Sequence, residues 1–180
     1  MRPEHDEPLD ERPVARHARR ECYAGLRGAD LGQPPPGLAA RAHVAAVPGL
    51  SRQAGRIAAR FFDSPSAALA VAGITGTNGK TTSAWLLAQA LGQAGRRCGY
   101  VGTLGVGLPP AVAPGEYTTA DAVAVQRQLA SLRVAGAECV AMEVSSHALD
   151  QARVDAVEFR VAAFFYWSRD HRDLHGTMAA

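Results

Sequence analysis

From Ser51 to Phe165 the chain alternates between two hydrophobic rhythms: apolar positions at helical spacing, and short unbroken apolar runs. Ser51 is placed to cap a helix whose apolar positions Ile57, Ala58, Phe61 and Phe62 share one face, ending at Asp63-Ser64-Pro65. Leu69 to Ile74 is a nearly continuous apolar run, as carried by a strand covered on both sides. The spacing then predicts a helix from Lys80 to Ala94, with Trp85, Leu86, Leu87 and Leu91 facing inward and Gly95 beyond its end. A strand near Cys98–Val101 and a Gly/Pro-rich loop follow, and then a helix from Asp121, its expected N-cap, to about Ala135. Cys139 to Met142 is another buried-strand run, followed by Val144 to His147, and Phe159 to Phe165 is a further strand. Strands alternating with helices of about 10–15 residues indicate βαβ units. The fold class expected is therefore α/β, a doubly wound, mostly parallel sheet of the phosphate-loop type.

Residues 1–48 break this pattern. Their first 30 positions hold 13 charges of both signs, and Gln33-Pro34-Pro35-Pro36-Gly37 cannot continue a helix or a central strand. A folded small domain and a partly disordered or degraded segment fit these residues equally well. The expected division is therefore an N-terminal segment, 1–48, and an α/β domain, 49–180.

Composition narrows the function. The net charge of +2 is too balanced to argue for nucleic acid or an acidic membrane. No apolar run approaches the ~20 residues of a membrane span, and the opening MRPEHDEPLDER is charged where a signal peptide is apolar. Cys22, Cys98 and Cys139 are odd in number and without CxxC pairing, which argues against a disulfide scaffold or zinc ribbon and fits the reducing cytoplasm. Of 19 basic side chains, 18 are arginines, and the one lysine is Lys80.

That lysine lies in Gly76-Thr77-Asn78-Gly79-Lys80-Thr81-Thr82, between a predicted strand and a predicted helix. Glycines there let backbone N–H groups converge on phosphate oxygens, and the helix N-terminus adds its positive end. Lys80 is placed to reach the β- and γ-phosphates, and Thr81 to offer its hydroxyl to Mg²⁺. Arginine fits such a tight cradle poorly, because its fork is long and planar. The strict GxxxxGK[ST] spacing is missed, since Ile74 holds the first position. A Gly-rich turn with a surface lysine would share these letters, but the position of the only lysine argues for nucleotide binding.

Gly73 to Thr82 resembles the nucleotide loop of the Mur ligases. Tyr117-Thr118-Thr119-Ala120-Asp121, the segment from Ala141 to Arg153 (AMEVSSHALDQAR), Ser168-Arg169-Asp170-His171 and His175-Gly176-Thr177-Met178 are similar to the muramyl-tripeptide synthetase branch of that family. The resemblance runs from about Val47 to Met178 and implies an ATP-dependent ligase of peptidoglycan precursor synthesis. Such a ligase adds diaminopimelate or lysine to UDP-N-acetylmuramoyl-L-Ala-D-Glu through an acyl phosphate. It implies that Gly76, Thr77, Asn78, Gly79, Lys80, Thr81 and Thr82 hold ATP, with Lys80 and His171 catalytic. Thr81, Glu143 and His171 would bind or orient Mg²⁺, and Thr118, Thr119, Ser145, Gln151 and Arg153 would grip the UDP-muramyl dipeptide. Read alone, Glu143 is equally a satisfied strand-end carboxylate, and Arg153 reads rather as a solvated surface arginine. His147 is read as structural, and Trp85, Leu86 and Leu87 as core. A folylpolyglutamate synthetase would share the loop but not the residues from Glu143 to Arg153.

Three departures from the family pattern qualify the expectation. Phe165-Tyr166-Trp167 stands where the family has Thr-Asn-Leu, adding volume beside the nucleotide site, where overpacking typically costs ~1–3 kcal/mol. The segment before the phosphate loop is about half the family's length. The chain ends at Ala180, ahead of the family's carbamylated lysine and C-terminal domain, and would leave the sheet an unpaired edge. On this reading the 180 residues alone are not expected to complete the ligation, and a catalytically inactive nucleotide- and UDP-muramyl-peptide-binding remnant is the alternative.

Overall fold

The computed structural model describes residues 49–115 and 117–165. The expected alternation is present: helix α1 (Leu50–Phe61), a 3-10 turn (Pro65–Ala68), strand β1 (Ala70–Gly76), helix α2 (Lys80–Gln93) and strand β2 (Cys98–Gly102). Strands β3 (Gly105–Leu108) and β4 (Ala111–Ala113), helix α3 (Ala122–Val134), strand β5 (Cys139–Glu143), the short helix α4 (Ser146–Asp150) and strand β6 (Phe159–Phe165) complete it.

The strands form one sheet in the order β4-β3-β2-β5-β1-β6. β2, β5, β1 and β6 are parallel, with Ala70 opposite Cys139 and Cys98 also opposite Cys139. β3 and β4 extend the sheet antiparallel beyond β2. The predicted Gly/Pro-rich loop is therefore in part a hairpin. Its strands are only four and three residues long and built largely of glycine and alanine, too short to show a strand rhythm.

Period-two alternation in the parallel strands builds two cores. Val71, Val101, Val140 and Met142 join Val125, Leu129 and Leu132 of α3 on one face. Ile74, Cys98, Tyr100, Cys139 and Ala141 join Ala84 and Ala88 of α2 on the other. Helices on both faces are the doubly wound arrangement expected, and they explain why these strands read as apolar runs. Cys98 and Cys139 are free and buried, and burial pushes the Cys98 thiol up to about 12.

Two helices face differently from expectation. α1 begins at Leu50, so Ser51 lies inside its first turn, and its buried stripe is Ala54, Gly55, Ala58 and Ala59. Ile57 and Phe61 are exposed, because small residues let the helix backbone approach its neighbours: a Cβ on Gly55 would lie 3.4 Å from that of Ala156. In α2 the buried centre is Ala84 and Ala88, with Trp85, Leu87 and Leu91 packed beside them, while Leu86 points outward. Helix α3 starts as predicted: the Asp121 carboxylate accepts from the N–H groups of Val123 (3.0 Å) and Ala124 (2.8 Å).

These orientations set a paired test. Leu129 has no exposed surface whereas Leu86 is 56% exposed. Leu129→Ala should lower unfolding free energy by ~2–5 kcal/mol in urea melts, and Leu86→Ala by no more than ~0.5 kcal/mol. Equal losses would contradict the assigned helix faces.

Candidate functional site

The carboxyl ends of β1, β2 and β5 converge on the loop that joins β1 to α2, the end of an open α/β sheet where ligands are bound. Gly76 ends β1 at φ 134°, and a side chain there would overlap the carbonyl of Phe165 in β6. Gly79 is the N-cap of α2 at φ 85° and supplies no side-chain cap, so the first-turn N–H groups face outward from a left-handed turn. Lys80 folds back over this loop, its Nζ donating to the carbonyls of Gly76 (2.7 Å) and Thr77 (3.1 Å). Asn78 and Thr82 are exposed and Thr81 is half-buried. The result is a cradle of backbone donors beside a helix N-terminus, with one cation held across its mouth.

Behind the cradle lies Glu143, the last residue of β5, with no exposed surface. Its Oε2 accepts from the hydroxyls of Thr81 (2.8 Å) and Thr103 (3.2 Å). Its Oε1 accepts from the Thr103 N–H (2.9 Å) and from the Tyr100 phenol. Glu143 is thus satisfied by protein donors, as the plain strand-end reading anticipated, and at the same time joined to the phosphate loop. Tyr100 is fully buried, with its ring against Trp85 edge-to-face at 5.2 Å. Burial, and then the hydrogen bond to Glu143, raise its phenol above the ordinary tyrosine range. Sequence reasoning passed over Tyr100 and Thr103. The available signal was a polar-tipped ring and a hydroxyl in the otherwise apolar and glycine run Gly99-Tyr100-Val101-Gly102-Thr103.

The residues expected to grip the second substrate are brought together next to this carboxylate. The buried Thr119 hydroxyl donates to the Glu143 carbonyl (3.0 Å) and accepts from the Ser145 N–H (3.1 Å). Ser145 caps α4 by accepting from the Ala148 N–H (3.2 Å). Arg153 is not a free surface arginine: Nη1 donates to the Thr119 carbonyl (3.0 Å), while Nε (2.9 Å) and Nη2 (2.5 Å) converge on Oε1 of Gln151. The hydroxyls of Thr118 and Thr103 lie 3.0 Å apart, linking this group back to Glu143. His147 is half-buried in α4.

His171, Ser168-Arg169-Asp170 and His175 to Met178 lie outside the described residues, as do Tyr166, Trp167 and the segment 1–48. Phe165 itself is 42% exposed, and its backbone runs close against Gly76. Among the described residues no three His, Cys, Asp or Glu side chains gather as a metal cluster. The carboxylate of Glu143 with the hydroxyls of Thr81 and Thr103 is instead a hard-oxygen set with few protein ligands, which fits Mg²⁺ that keeps waters and substrate oxygens.

The chain is similar to known proteins of one family. The family model for the Mur ligase middle domain matches residues 74–180. The UDP-N-acetylmuramoyl-L-alanyl-D-glutamate–2,6-diaminopimelate ligase of Ectopseudomonas mendocina (strain ymp) is 59% identical over 134 residues, 74% of this chain and 28% of that protein. The ligases of the same name from Pseudomonas aeruginosa and Coxiella burnetii are 55% and 50% identical, over 75% and 72% of this chain and 28% and 26% of theirs. A solved structure of a ligase so named superimposes with a TM-score of 0.67 at 33% identity, covering 77% of this chain and 28% of that one. The chain thus spans little more than a quarter of the length of these relatives.

The Thr119 bridge gives a test of the site's internal order. Thr119→Val leaves the Ser145 N–H and the Glu143 carbonyl short of a partner and should cost ~1–3 kcal/mol of stability. Thr119→Ser, which keeps the hydroxyl, should cost less than half of that in the same melts. A Thr119→Ser loss larger than that of Thr119→Val would show that the methyl packing matters and the hydroxyl does not.

Proposed function

The chain belongs to the Mur ligase family, and from that premise we propose that it carries the ATP-binding part of a UDP-N-acetylmuramoyl-L-Ala-D-Glu ligase that adds 2,6-diaminopimelate. The observation carrying this reading is the pairing of Lys80, held across a backbone cradle, with the Thr81–Glu143 couple at its base. The choice of diaminopimelate over lysine is supported by the names of the relatives at 50–59% identity. Residues 49–180 are assigned to an incomplete central ATP-binding domain and 1–48 to a shortened segment like the UDP-binding domain that precedes it in the family. A cytoplasmic setting follows from the proposed substrates, ATP and a UDP-linked precursor. Among the described residues no helix is long and apolar enough to cross a membrane, and neither membrane nor nucleic acid has a part in the reaction.

In this mechanism the D-Glu carboxylate attacks the γ-phosphorus of ATP, and the bond to ADP breaks as the acyl phosphate forms. The amine of diaminopimelate then attacks the acyl carbon, phosphate leaves, and the nitrogen sheds a proton. In-line transfer of this kind depends on positioning and charge neutralisation more than on covalent help from the protein. Residues Gly76 to Thr82 orient the triphosphate, and Lys80 exchanges its two carbonyl partners for β- and γ-oxygens. Thr81 and Glu143 would hold Mg²⁺, which when bound neutralises charge developing on the transferred group. The hydroxyls of Thr118 and Ser145, with Gln151 and Arg153, hold the muramyl dipeptide so that its carboxylate faces the γ-phosphate, while the buried Thr119 hydroxyl, tied to Glu143 and Ser145, braces them from behind. His171 is assigned beside Mg²⁺ and the phosphate by family resemblance.

Isothermal calorimetry on the purified chain tests the reading. Lys80→Ala should weaken Mg-ATP binding at least about tenfold, the scale of one charge-assisted hydrogen bond, and leave binding of the UDP-muramyl dipeptide unchanged. Unchanged ATP affinity, or no ATP binding by the unmodified chain, would overturn it.

A further inference from the structure

The two oxygens of Glu143 are held by donors of different kinds. Oε1 meets donors that cannot turn away: the Thr103 backbone N–H at 2.9 Å and the phenol of Tyr100. That phenol is itself fixed, because the ring is fully buried against Trp85 and the oxygen accepts from the Leu104 N–H at 3.3 Å. Oε2 meets only hydroxyls, those of Thr81 (2.8 Å) and Thr103 (3.2 Å), whose protons rotate freely about the C–O bond. Both hydroxyls have another oxygen to turn to: Thr103 also lies 3.0 Å from Thr118, and Thr81 lies 3.5 Å from Thr103. The backbone is shaped to the same end, since any side chain on Gly102 would overlap both Oε1 and the Tyr100 hydroxyl.

Resting on the nucleotide reading above, we propose that Tyr100 is a positioning residue which, with the Thr103 N–H, clamps Oε1 of Glu143 and leaves Oε2 as the exchangeable arm presented to a phosphate-bound divalent cation. Satisfying a buried carboxylate requires only enough donors. It does not require that immobile donors fall on one oxygen and rotatable ones on the oxygen nearer the phosphate loop. That division keeps the carboxylate plane fixed while Oε2 exchanges hydroxyl partners for a cation. Partners that orient a metal ligand from behind commonly alter metal affinity by ~10–100-fold when removed.

The test is the Mg²⁺ dependence of ATP affinity, measured by calorimetry on the full chain, with Mn²⁺ binding read directly by electron paramagnetic resonance. Tyr100→Phe should raise the Mg²⁺ midpoint about tenfold and weaken Mn²⁺ binding to match. ATP affinity at saturating Mg²⁺ should return to within about threefold of the unmodified chain. Gly102→Ala, which intrudes on Oε1 from the backbone side, should shift the midpoint in the same direction. Leu86→Ala, at an exposed position on α2 outside the site, should leave it in place. A Tyr100→Phe chain that melts earlier but keeps its midpoint would overturn the positioning role and leave the nucleotide site standing. A chain that binds no ATP at any Mg²⁺ concentration would overturn the functional reading and this inference with it.

Discussion

Glu143 is a carboxylate without exposed surface, and such a group is costly unless donors replace the water it has lost. The donors come from two other segments: Tyr100 and Thr103 at the end of β2, and Thr81 in the first turn of α2. The fold must therefore bring the carboxyl ends of β2 and β5 and the start of α2 to one place before this residue is tolerated at all. The same convergence creates the cradle, because α2 begins where β1 ends and β1 lies directly beside β5. The buried charge and the phosphate loop are in this sense two results of one constraint.

The sheet order shows how the chain satisfies it. From β1 the chain moves out to β2, returns to insert β5 between the two, and crosses to β6 on the far side of β1. The helix after β1 and the helix after β2 consequently cover opposite faces, each with its own core. β1 is left central, with its loop opening at a change of direction, where open α/β sheets bind ligands. Close approaches such as Gly76 against the Phe165 carbonyl depend on the absence of a side chain at the strand end.

What was legible in the sequence follows from how local each signal is. Strands β1, β2 and β5 are covered on both faces and so read as apolar runs, and the phosphate loop is written in consecutive residues. The face of α1 was misread because its buried stripe, Ala54, Gly55, Ala58 and Ala59, carries less hydropathy than the exposed Ile57 and Phe61. The β3–β4 hairpin was read as a loop because its short strands are built from glycine and alanine as much as from branched residues. The roles of Tyr100 and Thr103 could not be read at all. They come from hydrogen bonds spanning 43 and 40 residues, which no local period encodes. For Thr119, Ser145, Gln151 and Arg153 the family pattern named the residues, and only the structure places them in one bonded group beside Glu143.

Because Lys80 is the only lysine in the chain, its ammonium group gives a single side-chain ¹⁵N resonance. Following that resonance through a Mg-ATP titration tests the central claim most directly, since Nζ now rests on the Gly76 and Thr77 carbonyls. The account predicts that the resonance moves in step with nucleotide occupancy and that its protons exchange more slowly with water, as phosphate oxygens replace the two carbonyls. A chain saturated with nucleotide whose Lys80 resonance stays where it was would contradict it.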